Sequence, residues 1–228
     1  MNIYERIKLF WQGEKPDRIP YTIYWNELRH TADNPTWQPL FEKGLGVTYG
    51  VRTFSSDNHK VKYKTRTEKE NGKNIKYEIM STPEGDIYTT FEEGWRQKYW
   101  LEDKKDYKIM KYIVENTKFA PAFDNYHKKF EEIKPYGIPL LQPGRTPIQT
   151  ILVDYVGLEN FAFHLIDYKE EMMELYQALL ENFREKIKLI AEGPGEFVQV
   201  LENFTAETMG PKRYKKFHLP VYEELFPI

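Results

Sequence analysis

Apolar residues recur with a helical period in some stretches of the chain and with a period of two in others. Ile3, Ile7, Phe10 and Trp11 share one helical face, which predicts an amphipathic helix stopping near Gly13. After the turn Gly13 to Arg18, the β-branched and aromatic run Ile19 to Trp25 predicts a first strand, with Pro20 near its start, where a missing donor matters least. A short helix around Leu40, Phe41 and Leu45, closed by Gly44 and Gly46, leads to a second strand, Val47 to Thr53. Between His59 and Glu92 the period is two. Val61, Tyr63, Thr65 and Thr67 alternate with Lys62, Lys64 and Arg66, Asn71-Gly72 marks a turn, and the runs Ile75 to Ile79 and Ile87 to Phe91 follow. This predicts a small antiparallel meander with one wet face, whose lysines either guard a sheet edge or meet a phosphate.

Helical spacing returns in Tyr107, Met110, Ile113 and Val114 behind Asp103 or Asp106, and again in Tyr126, Phe130 and Ile133. Ile138 to Gln142 reads as a third, buried strand. Thr146-Pro147-Ile148-Gln149 then carries a capping-box pattern, with Thr as N-cap, Pro at the first helical position and Gln three residues after the cap. That helix is expected to end near Gly157. Another runs from Leu158 to Leu165, and a long one from Met172 to Ile190 is capped by Asp167 with Glu170 and stopped by Gly193-Pro194. Glu196 to Asn203 reads as a fourth strand, and Gly210-Pro211 opens a last helix with Tyr214 and Phe217.

Buried strands alternating with helices indicate an α/β protein with a parallel sheet. About four such strands are present, whereas a closed (β/α)8 barrel needs eight and typically about 250 residues. The expected fold is a TIM (β/α)8-type barrel, incomplete in this chain, forming one partial barrel domain over residues 1–228 with the meander inserted at about 59–92. Exposed sheet edges are expected in turn, compatible with a homo-oligomer.

Charge and composition narrow the class. With 33 basic and 35 acidic residues, the net charge of -2 supplies no basic field for nucleic acid. The absence of Cys excludes disulfides and thiolate metal sites within the chain and fits a reducing cytosol. No run has the length of a membrane span, and the N-terminus lacks a secretion-signal core, so a cytoplasmic protein is expected. The 17 Tyr, 14 Phe and 5 Trp serve either core packing or a stacking platform.

Polar groups at the carboxyl ends of strands are the usual place for chemistry in such folds. The candidate substrate-binding residues are therefore Trp25, Asn26, Glu27, Gln142 and Arg145, and the candidate catalytic residues are Glu202 and Asn203. Glu202 and Asn203 would orient a polar group or begin a solvated loop, and Glu202 could serve as an acid or base. Arg145, beside the free amides of the Thr146 helix start, would meet a carboxylate or phosphate, or pair with a neighbouring carboxylate. His30, His59, His127, His164 and His218 show no metal-ligand spacing. Glu27 and Glu202 would suit a sugar-processing carboxylate pair if they stood about 5 to 10 Å apart.

The opening Glu5-Arg6-Ile7 to Gly13-Glu14-Lys15-Pro16-Asp17-Arg18-Ile19-Pro20 resembles the start of the uroporphyrinogen decarboxylase superfamily. Thr82 to Gly85, Asp103 to Tyr107, Gly157 to Phe161, and Gly210-Pro211 with Tyr214, Phe217, Pro220 and Tyr222 resemble further family segments in the same order. The resemblance covers the family's first half to two-thirds and implies a TIM barrel with a cleft for tetrapyrroles, corrinoids or small methyl donors and acceptors. The decarboxylase branch carries an arginine-rich clamp after the first strand and an essential Asp. Here Asn26-Glu27-Leu28-Arg29 stands in place of the clamp, and Asp57 is a loose match for the acid. The methyltransferase branch uses zinc held by His and Cys on later strands, so this chain alone would hold no cofactor, with zinc and a corrinoid belonging to a longer protein.

The resemblance thus implies a protein of the methyltransferase branch, moving a methyl group between a corrinoid and a thiol or other small acceptor, with a small-molecule substrate and a corrinoid protein as partners. The alternatives are a porphyrinogen-type decarboxylase and an inactive binding protein or fragment.

Overall fold

The computed structural model describes residues 1–24 and 35–226. The chain forms two compact units, one from Met1–Ser55, Ala120–Pro143 and Lys188–Val200, the other from Ser56–Phe119, Gly144–Ile187 and Leu201–Ile228. In chain order the described strands are β1 (Tyr21–Tyr24), β2 (Leu45–Val51), β3 (Phe54–Asp57), β4 (Lys62–Glu70), β5 (Lys73–Thr82), β6 (Gly85–Glu92), β7 (Trp95–Lys98), β8 (Lys118–Pro121) and β9 (Gly137–Leu141). β1, β2 and β9 form a parallel sheet in that order, β4 to β7 an antiparallel one, and the short β3 and β8 pair with each other. The fold is mixed α/β, and among the described residues no sheet closes into a barrel. No described helix is long and apolar enough to cross a membrane.

In the first unit, the helix Ile3–Trp11 begins at a capping box. Asn2 Oδ1 accepts from Glu5 N at 2.9 Å, and Glu5 Oε2 accepts from Asn2 N at 3.1 Å. Its apolar stripe buries Ile3 and Ile7 with Ile138, Leu140 and Phe197. Arg6, on the same helix and 3 % exposed, is neutralised by a two-pronged bond to Asp17 at 2.7 and 3.0 Å, as a buried charge requires. The segment Leu45-Gly46, expected to close the short helix Gln38–Glu42, instead opens β2. Gly46 there faces Ile3, whose Cγ1 would lie 2.5 Å from any Cβ at that position.

The fourth strand is not formed as a strand. Val198 makes a single parallel bridge to Leu141, with Leu141 N donating to Phe197 O and Gln199 N donating to Leu141 O, both at 2.8 Å. β9 ends at Leu141, so no ladder remains for the residues after Gln199.

In the second unit the meander has four strands rather than three. The turn Asn71-Gly72 takes left-handed φ at both residues, 49° and 83°, as a two-residue hairpin requires. A second such pair, Glu93-Gly94 at 50° and 85°, leads into the unexpected β7. The helix Lys104–Glu115 packs on β6 and buries Tyr107, Met110, Ile113 and Val114, and its N-cap Asp103 forms a capping box with Asp106. Asp167 ends the helix Leu158–Asp167 rather than capping the next one, which begins at Lys169 and runs to Ala191. After Gly210–Arg213 the chain stays helical through a π-helical turn, Tyr214–His218, and then Leu219–Leu225.

Candidate functional site

The parallel sheet sets the first cluster. Cα partners across the register place Tyr24, Thr48 and Ile138 in one row, and Gly50 and Leu140 in the next. The period of two puts Gln142 on that same face. Gln142 Nε2 donates to Tyr24 Oη at 3.1 Å and to Gln199 Oε1 at 3.0 Å, so three polar tips meet beyond the strands' carboxyl ends. Gly50 permits this. A Cβ there would stand 2.3 Å from the Gln142 amide, which lies across the bare glycine. The same face carries a cleft of about 340 Å³ with Trp11, Thr22, Thr48 and Gln199 on its walls.

The second cluster lies in the other unit and is organised by Thr146. Thr146 occupies the N-cap position before Pro147–Gln149, but its side chain makes no capping bond. Its N–H donates to Glu202 Oε1 at 3.1 Å, and its hydroxyl meets His218 Nδ1 at 3.3 Å. Gln149, expected to complete a capping box, turns away, and its Oε1 accepts from Asn203 N at 3.1 Å. The capping-box expectation thus fails because both side chains are recruited by residues more than 50 positions away.

Four buried polar atoms of this cluster have no hydrogen-bond partner among the described residues, namely Arg145 Nε, Gln149 Nε2, Glu202 Oε2 and His218 Nε2. The Tyr222 hydroxyl interacts with the Glu202 carboxyl without bonding to Oε2. Orphaned buried groups are rare in folded proteins, and each calls for an explanation such as water, substrate or catalysis.

Burial raises the Glu202 pKa, against lowering by Thr146, Tyr222 and Arg145. Burial also pushes His218 down to about 4, leaving it neutral at pH 7. Tyr222 is raised above the ordinary phenol range, first by burial and then by Glu202. Arg145 faces Asp154 at 3.6 Å, long for an ion pair, and burial raises the Asp154 pKa. A carboxyl held toward protonation, a neutral imidazole and a cation side by side can accept or donate a proton.

π-helical turns, often found at functional sites, flank the cluster. Thr150–Val156 follows Gln149, and His218 ends the second. The first closes at Gly157, whose N–H donates to Leu152 O at 2.9 Å. Its φ of 82° and a Cβ position 2.4 Å from the Tyr99 ring exclude a side chain there.

Of the residues singled out in the sequence, Trp25, Asn26 and Glu27 lie outside the described residues, and with Glu27 goes the sugar-processing pair. Gln142 belongs to the first unit, and Arg145, Glu202 and Asn203 to the second, where Glu202 and Asn203 bond to Thr146 and Gln149 at the start of one helix. Arg145 has a carboxylate neighbour, and the Thr146 amide already holds the anionic group of Glu202. Asp57 is exposed and pairs with His59 at 2.9 Å. Comparisons of the chain with protein-family models, curated proteins and solved structures find no match. Tyr24, Thr146, Gln149, Gln199, His218 and Tyr222 were not among the candidate site residues of the sequence. For His218 the signal was available, since it falls one helical turn from Tyr214 and Tyr222 among aromatic residues.

Among the described residues, no three His, Cys, Asp or Glu side chains are grouped so as to hold a metal ion. The zinc implied by the methyltransferase resemblance therefore has no donor set among the described residues.

Proposed function

We propose that the chain is a uroporphyrinogen-decarboxylase-like enzyme of the methyltransferase branch, built on part of a (β/α)8-type barrel, that transfers a methyl group between a corrinoid and a small protic acceptor. The observation that carries the reading is the group of unpartnered buried polar atoms around Thr146. The strand order β1-β2-β9, parallel and in chain order, supports the barrel component. A bound corrinoid would supply the methyl group, and the residues of this chain would hold and deprotonate the acceptor. The acceptor's proton passes to the Glu202 carboxylate. Burial raises the proton affinity of that group, which suits it to a base's role near neutral pH. Arg145, Gln149 and Asn203 would fix the acceptor's polar groups.

The test is loss of the alkyl-cobalt absorbance when the purified chain meets methylcobalamin and 2-mercaptoethanol. Turnover is expected, and Glu202→Gln is expected to lower it by about 10²-fold or more, in the range of general-base contributions, with an unchanged circular dichroism spectrum. Absence of turnover by the folded wild-type chain, or full activity in Glu202→Gln, overturns the proposal. A binding protein without turnover is the second reading. It is favoured by the lack of a metal-donor group among the described residues and is the reading left standing if methylcobalamin binds without reacting.

A further inference from the structure

The cleft of about 340 Å³ in the first unit takes no part in the proposed transfer. Its floor is apolar, formed by Ile7 of the first helix with Ile138 and Leu140 of β9, none of them more than 6 % exposed. Phe10 and Trp11, one turn further along the helix, stand on the wall and are 56 % and 62 % exposed. The helical stripe that begins at Ile3 and Ile7 continues through these two rings, so the last turn holds its aromatic surface open over the cleft. Trp11 is nonetheless fixed in place. Its ring meets Phe197 edge to face, with centroids 5.3 Å apart and planes at 77°.

The polar side chains on the wall are Thr22 of β1, Thr48 of β2 and Gln199, and no charged side chain is among the described residues there. Lys8, next to Ile7 on the helix, is paired with Glu196 at 2.7 Å and lies off the wall. Thr48 Oγ1 is already committed, donating to Ile23 O at 3.4 Å. Gln199 is committed through its oxygen alone. Its Oε1 accepts from Tyr24 Oη at 3.3 Å and from Gln142 Nε2 at 3.0 Å, which fixes the plane of the amide and leaves Nε2 as a donor that meets no acceptor among the described residues. An amide held in this way offers its N–H groups to a carbonyl oxygen.

A chamber with aromatic and aliphatic walls, a fixed donor and no counter-charge is complementary to a neutral ring system that carries an acceptor. A charged ligand would lose its hydration there without gaining an ion pair. An apolar cavity of about 150 Å³ holds one benzene ring, so the 340 Å³ of this cleft suits two fused rings. We propose that the cleft binds a neutral, planar, bicyclic aromatic molecule bearing a carbonyl oxygen, with its rings between Trp11 and the Ile7–Ile138–Leu140 floor and its carbonyl on Gln199 Nε2. A small molecule meets the donor and the rings at once, whereas a flat protein face would meet only the rings. The inference goes beyond methyl transfer, for it needs neither Glu202 nor a corrinoid.

The test is a titration of the full chain with 2-naphthamide, followed in the nitrogen–proton spectrum. The Trp11 indole and Gln199 side-chain amide signals are expected to shift saturably, while the indole signal of Trp95, in the second unit, stays in place. 2-Naphthoate, equal in shape but charged, is expected to bind at least tenfold more weakly. Gln199→Glu keeps an oxygen for Tyr24 and Gln142 but turns the remaining donor into an acceptor, and Trp11→Leu replaces the ring with an aliphatic group. Each is expected to weaken 2-naphthamide at least fivefold with an unchanged circular dichroism spectrum. The inference is overturned if 2-naphthamide moves neither signal, if 2-naphthoate binds as tightly, or if either folded variant binds like the wild type. It is also overturned if the two signals shift with protein concentration alone, which would assign the cleft to a second copy of the chain. Because the readout is binding, a failed methyl-transfer assay leaves each of these outcomes intact.

Discussion

The burial of His218 makes a quantitative prediction about acid stability. Its ring is 0 % exposed, packed against Phe204 at 4.6 Å and stacked near Tyr214 at 5.7 Å, and its pKa is pushed from 6.5 down to about 4. Between those two pH values the unfolded chain binds the imidazole proton and the native chain does not, so stability rises with pH across the window. The contribution is complete above pH 6.5 and lost below about 4. At ~1.36 kcal/mol per pH unit, the native state forfeits about 3 kcal/mol from this group on acidification from pH 6.5 to 4. His164, also lowered by burial, adds to the same slope. Glu202 opposes it, since a raised carboxyl pKa gives stability that is present below the unfolded pKa and lost as pH rises through the folded one. The contribution of His218 is therefore read as a difference between wild type and His218→Phe, which keeps an aromatic ring in the same stack. Near pH 7 the variant loses the Thr146 bond, about 0.5–1.5 kcal/mol, and is relieved of a buried orphan nitrogen worth about 1–3 kcal/mol, so the two chains should be close in stability. At pH 4.5 the variant should be the more stable by about 2–3 kcal/mol. Urea unfolding followed by tryptophan fluorescence between pH 7 and 4.5 gives both curves, and NMR titration of the His218 ring gives its native pKa directly. Parallel stability curves, or a ring titrating near its ordinary value, would refute the reasoning.

Two further substitutions test the positioning of the clusters. Gly50→Ala places a methyl group where the Gln142 amide now lies, 2.3 Å away, and should release Gln142 from Tyr24 and Gln199 at about 1–3 kcal/mol of stability. The side-chain amide signal of Gln142 should lose its distinct shift in the nitrogen–proton spectrum, and an unmoved signal would count against the packing. Asp103→Ala removes the cap that accepts from Lys105 N and Asp106 N and should lower the urea-derived stability by about 1 kcal/mol, with a change under half that marking the cap as unimportant.

Much of the fold was legible because local chemistry and tertiary structure agree there. Ile3 with Ile7 and Tyr107 with Met110 and Ile113 are buried as their spacing predicts, although Phe10 and Trp11, expected on the first of these faces, are 56 % and 62 % exposed, and Asn71-Gly72 makes the turn that its sequence requires. The errors came where one residue type serves two purposes. Gly46 resembles a helix stop but sits in β2, because Ile3 fills the space a side chain would need. Glu93-Gly94 was passed over as a turn because β7, the strand behind it, is short and alternates Trp95 and Gln97 with charged residues, so no apolar run announces it. Asp167 resembled an N-cap, but the helix before it extends to include it.

The candidate site was legible only in its position along the chain. Arg145, Glu202 and Asn203 could be picked out because polar residues follow apolar runs there, yet the bonds that hold Glu202 and Asn203 run to Thr146 and Gln149, and Thr146 in turn meets His218, across separations that carry no sequence period. Local pattern actively misdirected the reading at Thr146 and Gln149. Their spacing fits a capping box, and in an isolated helix the hydroxyl and amide would turn back on the first turn's amides. In the folded unit Glu202 takes the Thr146 amide, the donor that the Gln149 side chain would accept from in a capping box, and the Thr146 hydroxyl faces His218 rather than the first turn. A charged acceptor on a backbone N–H forms a stronger bond than a neutral carboxamide oxygen can, so Glu202 displaces Gln149 from that donor. The strand that was expected from Glu196 to Asn203 gives way for a related reason. Once Glu202 and the Asn203 N–H are bonded to the Pro147 helix start, those residues cannot also extend a ladder beyond Leu141. The failed capping box and the failed strand are therefore one event, in which backbone groups with regular local uses are diverted into a buried polar cluster.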